Sequence, residues 1–200
     1  MTKILALIFL VLPAVIFSQV PNTTYISGFA GYSIPSIKER TDFKNSFHAG
    51  MKIEKDFTNT ISAGVEAGYS RFTSSVSGIP AIFDTSMVGT LSGGNLTLGG
   101  VMAYVKFFDM NVSNVFQPYL KLGAGASVIS YSGSTLNTDS TSKEVDKKTS
   151  GAILLSAGAG LDIQVSVNNK LFFEVQYRMN KNGADDVRNF LINFGYGFRL

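Results

Sequence analysis

The feature that most constrains this chain is a two-residue alternation of apolar and small or polar side chains, clearest in its last segment. Phe190, Ile192, Phe194, Tyr196, Phe198 and Leu200 fall on one side, and Leu191, Asn193, Gly195, Gly197 and Arg199 on the other. Such a period puts neighbouring side chains on opposite faces of a strand, and helical spacing does not reproduce it. The pattern recurs upstream. Phe173, Val175, Tyr177 and Met179 alternate with Phe172, Glu174, Gln176 and Arg178, and Ile153 to Ile163 alternates with Leu154 to Gln164. Leu120 to Val128 alternates with Tyr119 to Ser127, Ile61 to Tyr69 with Ser62 to Ser70, and Phe47 to Ile53 with His48 to Glu54. Tyr25 to Ile34 and Leu96 to Phe108 also read as strands, without settling which face is which. The total is about eight strands of membrane-crossing length.

The connections alternate too. Lys55 to Thr60, Asp109 to Phe116 and the turn centred on Val167, Asn168 and Asn169 are short and carry turn-forming Asn and Asp. Pro35 to Asn45, Thr73 to Gly94, Ser130 to Ser150 and Asn180 to Val187 are longer on average. Short turns at one end and longer loops at the other are the habit of outer-membrane barrels.

The N-terminus reads as an export signal. Lys3 gives a positive start, Ile4 to Phe17 an apolar run too short to span a bilayer, and Ser18 a small residue at which to cut before Gln19, although Ile16 is large for the −3 position. The expected organisation is a signal over residues 1–18 and a barrel domain over 19–200. Without Lys3 the balance is 16 basic minus 14 acidic residues, or +2, too little to argue for a nucleic-acid partner. The chain has no cysteine, hence no disulfide, thiolate metal site or lipid-anchored cysteine. No later apolar run is long enough for a transmembrane helix, so a membrane location requires a closed barrel.

A soluble barrel with an apolar interior would alternate in the same way. The polar face favours the lipid-facing reading, because it is full of small residues: Ser62, Gly64, Gly68, Ser70, Gly123, Gly125, Ser156, Gly158, Gly160, Gly195 and Gly197. These suit the narrow lumen of about eight strands. The charges on that face, Lys52, Glu54, Glu66, Lys121, Asp162, Glu174, Arg178 and Arg199, are balanced in sign. The expected lumen partners are Glu66 or Glu174 with Lys52, Lys121 or Arg178, in a lumen filled by side chains.

The stretches SFHAGMKIEKDFTNTISAGVEAGYSRF, QPYLKLGAGASV and FLINFGYGFRL resemble the eight-stranded outer-membrane β-barrel superfamily, which includes OmpX-like proteins and the transmembrane domain of OmpA-like proteins. The resemblance covers nearly all of residues 19–200 and implies an all-β, eight-stranded antiparallel up-and-down transmembrane β-barrel, monomeric, in the outer membrane of a Gram-negative bacterium. It also implies contact with outer-membrane lipids, and with the barrel-assembly machinery through the alternating aromatic ending Phe194, Tyr196 and Phe198. Leu200 departs from the aromatic that commonly ends such chains.

Little catalytic chemistry is legible. The single histidine excludes multi-histidine metal sites, the Gly-x-Gly pairs lack the third glycine and helix of a dinucleotide site, and no phosphate-binding loop is present. No cofactor, metal or catalytic residue is assigned. Barrels that modify lipid A use a histidine with a serine and a carboxylate, and His48 with Ser46 and Glu66 forms the rival arrangement, an ordinary one that chance supplies readily. The expected role is instead structural or in surface interaction, carried by the loops, with a soluble apolar-ligand barrel as a further rival. Thr73 to Gly94 is more apolar than a solvated loop needs (Ile79, Ile82, Phe83, Met87, Val88), so it folds over the barrel mouth or meets an extracellular partner. Ser132 to Ser150 reads as a mobile, solvated loop. N-terminal sequencing of the exported protein is expected to show a start at or just after Ser18; a mature chain still beginning at Met1 overturns the signal reading.

Overall fold

The computed structural model describes residues 23–36, 44–73, 77–84, 87–108, 115–137, 142–144, 148–183 and 186–200. The expected signal, residues 1–18, and its cleavage point lie outside them. Among the described residues the regular structure is all β, in ten strands: β1 (Thr24–Pro35), β2 (Ser46–Asp56), β3 (Ile61–Thr73), β4 (Ser77–Asp84), β5 (Met87–Phe108), β6 (Phe116–Asn137), β7 (Ser142–Glu144), β8 (Lys148–Ser166), β9 (Asn169–Lys181) and β10 (Val187–Arg199).

Eight of these close a ring of antiparallel neighbours in the order β1, β2, β3, β5, β6, β8, β9, β10, with β10 returning to β1. The closing ladder runs from Tyr25 opposite Arg199 to Pro35 opposite Asn189, and the Leu200 amide adds a bond to the Thr24 carbonyl at 2.8 Å. Every expected strand is present. The unsettled windows resolve as β1, with Tyr25, Ser27 and Phe29 inward, and β5, with Leu96, Leu98, Met102, Tyr104 and Lys106 inward.

The apolar face points out. Phe47, Leu120, Ile153 and Phe194 are 66%, 63%, 61% and 57% exposed, against 1% or less for His48, Lys52, Lys121 and Glu174 inside. An apolar exterior around a polar interior inverts a soluble fold and matches a lipid solvent. The described turn residues 57–60, 115 and 167–168 share one end of the barrel, the turn end, with Thr24 and Arg199; the opposite ends of these strands define the loop end. The β2–β3 turn is tied by Thr58, whose hydroxyl accepts from the amides of Thr60 and Ile61 at 3.1 and 2.9 Å.

Two expectations need correction. Thr73–Gly94, expected as a connection between strands, contains paired backbone: β4 pairs with the first residues of β5 as a hairpin, from Ser77 opposite Ser92 to Asp84 opposite Met87. Ser132 to Ser150 is likewise not simply a solvated loop, since β6 continues to Asn137, β7 pairs with it, and β8 begins at Lys148. The reason is continuity of pairing. β5 and β6 stay in register from Phe108 opposite Tyr119 to Thr90 opposite Asn137, and 22 residues span roughly 70 Å of strand at about 3.3 Å each. That is far more than a bilayer needs. Backbone pairing carries on past the rim without requiring a buried face.

The lumen glycines have a specific partner. Tyr104 lies over its cross-strand partner Gly64, Tyr119 over Gly160, Phe172 over Gly195 and Phe29 over Gly50. A Cβ at Gly64 would fall 2.7 Å from the Tyr104 hydroxyl oxygen, and one at Gly160 2.5 Å from the Tyr119 ring. The small residues therefore clear floor space for large rings from the next strand. Tyr196 and Phe198 stack edge to face, centroids 4.7 Å apart, on the outward side of β10 at the turn end. Because β10 closes the ring, deleting Gly197 to Leu200 or introducing Phe198→Asp is expected to block membrane insertion, while Ser140→Ala or Lys143→Ala leaves it intact. Membrane fractionation with unboiled gel mobility reads this, and normal insertion of the truncated form overturns it.

Candidate functional site

The barrel interior is the most chemically dense part of the molecule. Nine buried ionic side chains are found among the described residues: Lys52, Lys106, Lys121, Lys170 and Arg178 against Glu54, Glu66, Asp162 and Glu174. Each projects inward because it occupies the polar phase of its strand's alternation.

Eight of the nine form two charge-matched quartets. Toward the turn end, Lys106 reaches Glu54 at 2.8 Å and Asp162 at 3.1 Å, and Lys170 reaches the same two carboxylates at 2.5 and 2.9 Å. Further along the axis, Lys121 meets Glu66 at 2.5 Å and Glu174 at 3.1 Å, while Arg178 pairs with Glu66. Gln176 donates to Glu174 and accepts from the Arg178 Nε at 2.9 Å. Burying a carboxylate or an ammonium alone costs several kcal/mol, so each charge here has an opposite neighbour, and Glu54, Glu174 and Arg178 gain further hydrogen bonds with Tyr104, Tyr119 and Gln176.

Two tyrosines tie the quartets together crosswise. Tyr104 donates its hydroxyl to Glu54 at 2.9 Å in the first, while its ring lies 4.3 Å beneath the Lys121 ammonium of the second. Tyr119 donates to Glu174 at 2.9 Å in the second, and its ring lies 4.0 Å from the Lys106 ammonium of the first. The ninth group, Lys52, sits 3.3 Å from the centre of the Phe172 ring and makes no hydrogen bond to a described protein group. Toward the loop end the lumen turns apolar: Phe72, Leu96, Leu98, Ile129 and Val187 form a buried cluster, with Ala152 against it.

Most of the expected pairing is present: Glu66 with Lys121 and Arg178, and Glu174 with Lys121. Lys52 instead lies on an aromatic face. Arg199 is not a lumen charge; at the last position of β10 it is exposed at the barrel end. The assigned sequence pattern does not reveal Lys106, whose strand has no assigned face, or Lys170, which lies between the turn centred on Asn168 and the alternation that starts at Phe172. The alternation of Met102, Tyr104 and Lys106 against Val101, Ala103 and Val105 carries the signal for the former.

The rival histidine arrangement is not assembled. The Ser46 hydroxyl is bonded to the carbonyls of Phe47 and Arg71 and accepts from the Arg71 amide at 3.1 Å. His48 meets a different serine, its Nδ1 lying 2.7 Å from the Ser70 Oγ, with its ring 5.4 Å from that of Phe29. Glu66 is occupied by Lys121 and Arg178.

The sequence profile of the outer membrane protein beta-barrel domain family matches residues 4–198. The chain belongs to that family. It is thus an outer-membrane protein of a Gram-negative bacterium, which sets the soluble barrel aside. No curated protein matches the chain. Among solved structures it is similar to Neisserial surface protein A (14% identity, 88% of this chain and 97% of that one, TM-score 0.53). It is also similar to Ail, the attachment invasion locus protein of Yersinia pestis (20%, 90% and 100%, TM-score 0.52). A major outer membrane protein from Thermus thermophilus shares the fold as well (13%, 88% and 99%, TM-score 0.55). As a family member with an ionic core, this barrel is expected to lose about 3–5 kcal/mol when Glu66→Leu leaves Arg178 without its carboxylate. Urea unfolding in micelles checks this, with the lipid-facing Val65→Leu as a near-neutral control.

Proposed function

We propose that this protein is a non-conducting, non-enzymatic outer-membrane barrel whose role in envelope structure or surface interaction is carried by its loop end. In this reading residues 1–18 are removed on export and residues 19–200 form the barrel, which is monomeric. The loop end faces outward from the cell, as long connections do in this class, and the turn end faces the periplasm.

The observation that carries the reading is the filled lumen. Two matched quartets locked by Tyr104 and Tyr119 cross the interior, and the apolar cluster around Phe72 and Leu98 follows them toward the loop end. A channel would need a continuous polar path, and a lipid-modifying enzyme would need its histidine within reach of lipid. His48 is buried inside the wall, facing Ser70. What remains available to a partner is the protruding sheet β4–β5–β6–β7 and the connections beside it. The structural likeness includes a barrel, Ail, crystallised with the heparin analogue sucrose octasulfate, an example of ligand contact in a protein of this fold.

In planar bilayers the purified protein is expected to give no reproducible large conductance steps, and deleting its gene is expected to leave the lipid A mass spectrum unchanged. Stable open-pore steps overturn the plugged lumen; an altered lipid A profile restored by the wild type but not by His48→Ala favours the enzyme.

A further inference from the structure

Between the second quartet and the apolar cluster lies a small cavity that belongs to neither. Its lining includes His48, Ser127, Leu98, Arg178 and Asn189. Leu98 belongs to the apolar cluster and Arg178 to the quartet, so the cavity sits at their junction. Its volume of about 10 Å³ leaves room for at least one water molecule.

Three polar atoms of this lining, His48 Nε2, Ser127 Oγ and Asn189 Oδ1, are buried and make no hydrogen bond to any described protein group. They come from β2, β6 and β10, and their residues are 1%, 5% and 2% exposed. Leaving one such atom unpaired costs about 1–3 kcal/mol, so three around one cavity mark a built site. The neighbouring groups hold them in place: Ser70 occupies the other ring nitrogen of His48, and Asn189 donates its Nδ2 to Ser33 at 2.9 Å.

The lining chemistry selects the ligand. An anion would face the Asn189 carbonyl oxygen beside a quartet whose charges are already matched. A cation would face the Arg178 guanidinium. A group that both donates and accepts, no larger than the cavity, satisfies all three atoms. We propose that one water molecule is an integral internal ligand of this barrel, bridging His48, Ser127 and Asn189 between three strands.

Crystals of the folded protein grown with sodium bromide are expected to show a water peak within hydrogen-bond distance of all three atoms and no anomalous bromide signal there. A bromide peak at the site, or a cavity without density, overturns the proposal. Solution NMR offers a second arm, because His48 is the only histidine in the chain and its Nε2 resonance is unambiguous. Ser127→Ala is expected to shift that resonance. Ser62→Ala removes another unpaired buried hydroxyl that does not line this cavity, and it is expected to leave the resonance in place. An Nε2 resonance indifferent to Ser127→Ala overturns the bridge.

Discussion

Hydrocarbon offers no partner to a backbone amide, and every other feature of this protein follows from that. An open strand edge in lipid leaves each N–H and C=O unpaired at several kcal/mol apiece. The ladder between β1 and β10 removes both edges at once, and it places Tyr25 opposite Arg199 and Asn189 opposite Pro35. Closure at this strand number then fixes a lumen just wide enough for side chains, so the inward groups fill it and satisfy one another. The exterior has the simpler task of presenting apolar atoms, which Phe47, Leu120 and Phe194 do.

Filling a narrow cylinder with charge is a packing problem as well as an electrostatic one. Large groups cannot stand opposite one another at every level. The barrel resolves this by pairing an aromatic on one strand with a glycine on the next, as with Tyr104 over Gly64 and Tyr119 over Gly160. The same tyrosines then supply hydroxyls to Glu54 and Glu174, so ring placement and ion pairing are one arrangement. Lys52 is the exception. Its ammonium lies against Phe172, an interaction worth about 2 kcal/mol or more when desolvated, and among the described residues no carboxylate stands within ion-pair distance of it.

Strand number, closure and the lipid-facing side of six of the eight strands were legible in the sequence, because a period of two leaves little freedom once one face is lipid; the faces of β1 and β5 were not. The pairing of Glu66 and Glu174 with Lys121 and Arg178 was legible as a set, since opposite charges on one face of neighbouring strands have few alternatives. Other features were not. Lys106 and Lys170 were hidden because their segments gave weak alternation or resembled a turn. The crosswise roles of Tyr104 and Tyr119 depend on register, which a one-residue slip would reverse and which side-chain pattern alone does not set. His48 meeting Ser70 in place of Ser46 has the same origin: residues two apart share a face but point in parallel, whereas cross-strand neighbours converge. The β4–β5 hairpin is not legible because a stretch rich in Gly, Ser and Thr resembles a loop whether or not its backbone is paired.

The quartets draw members from both sides of the lumen: Glu54 from β2, Lys106 from β5, Asp162 from β8 and Lys170 from β9 in the first. Glu66 from β3, Lys121 from β6, and Glu174 and Arg178 from β9 make the second. The Asp162–Lys170 pair lies on one hairpin, β8–β9, whereas Glu54 with Lys170 and Glu66 with Arg178 join strands that become close only across the closed lumen. Glu54 on β2 and Lys170 on β9 stand near opposite edges of the sheet until β10 meets β1, so the ring that hides the backbone from lipid is the same ring that completes the pairing of its interior charges.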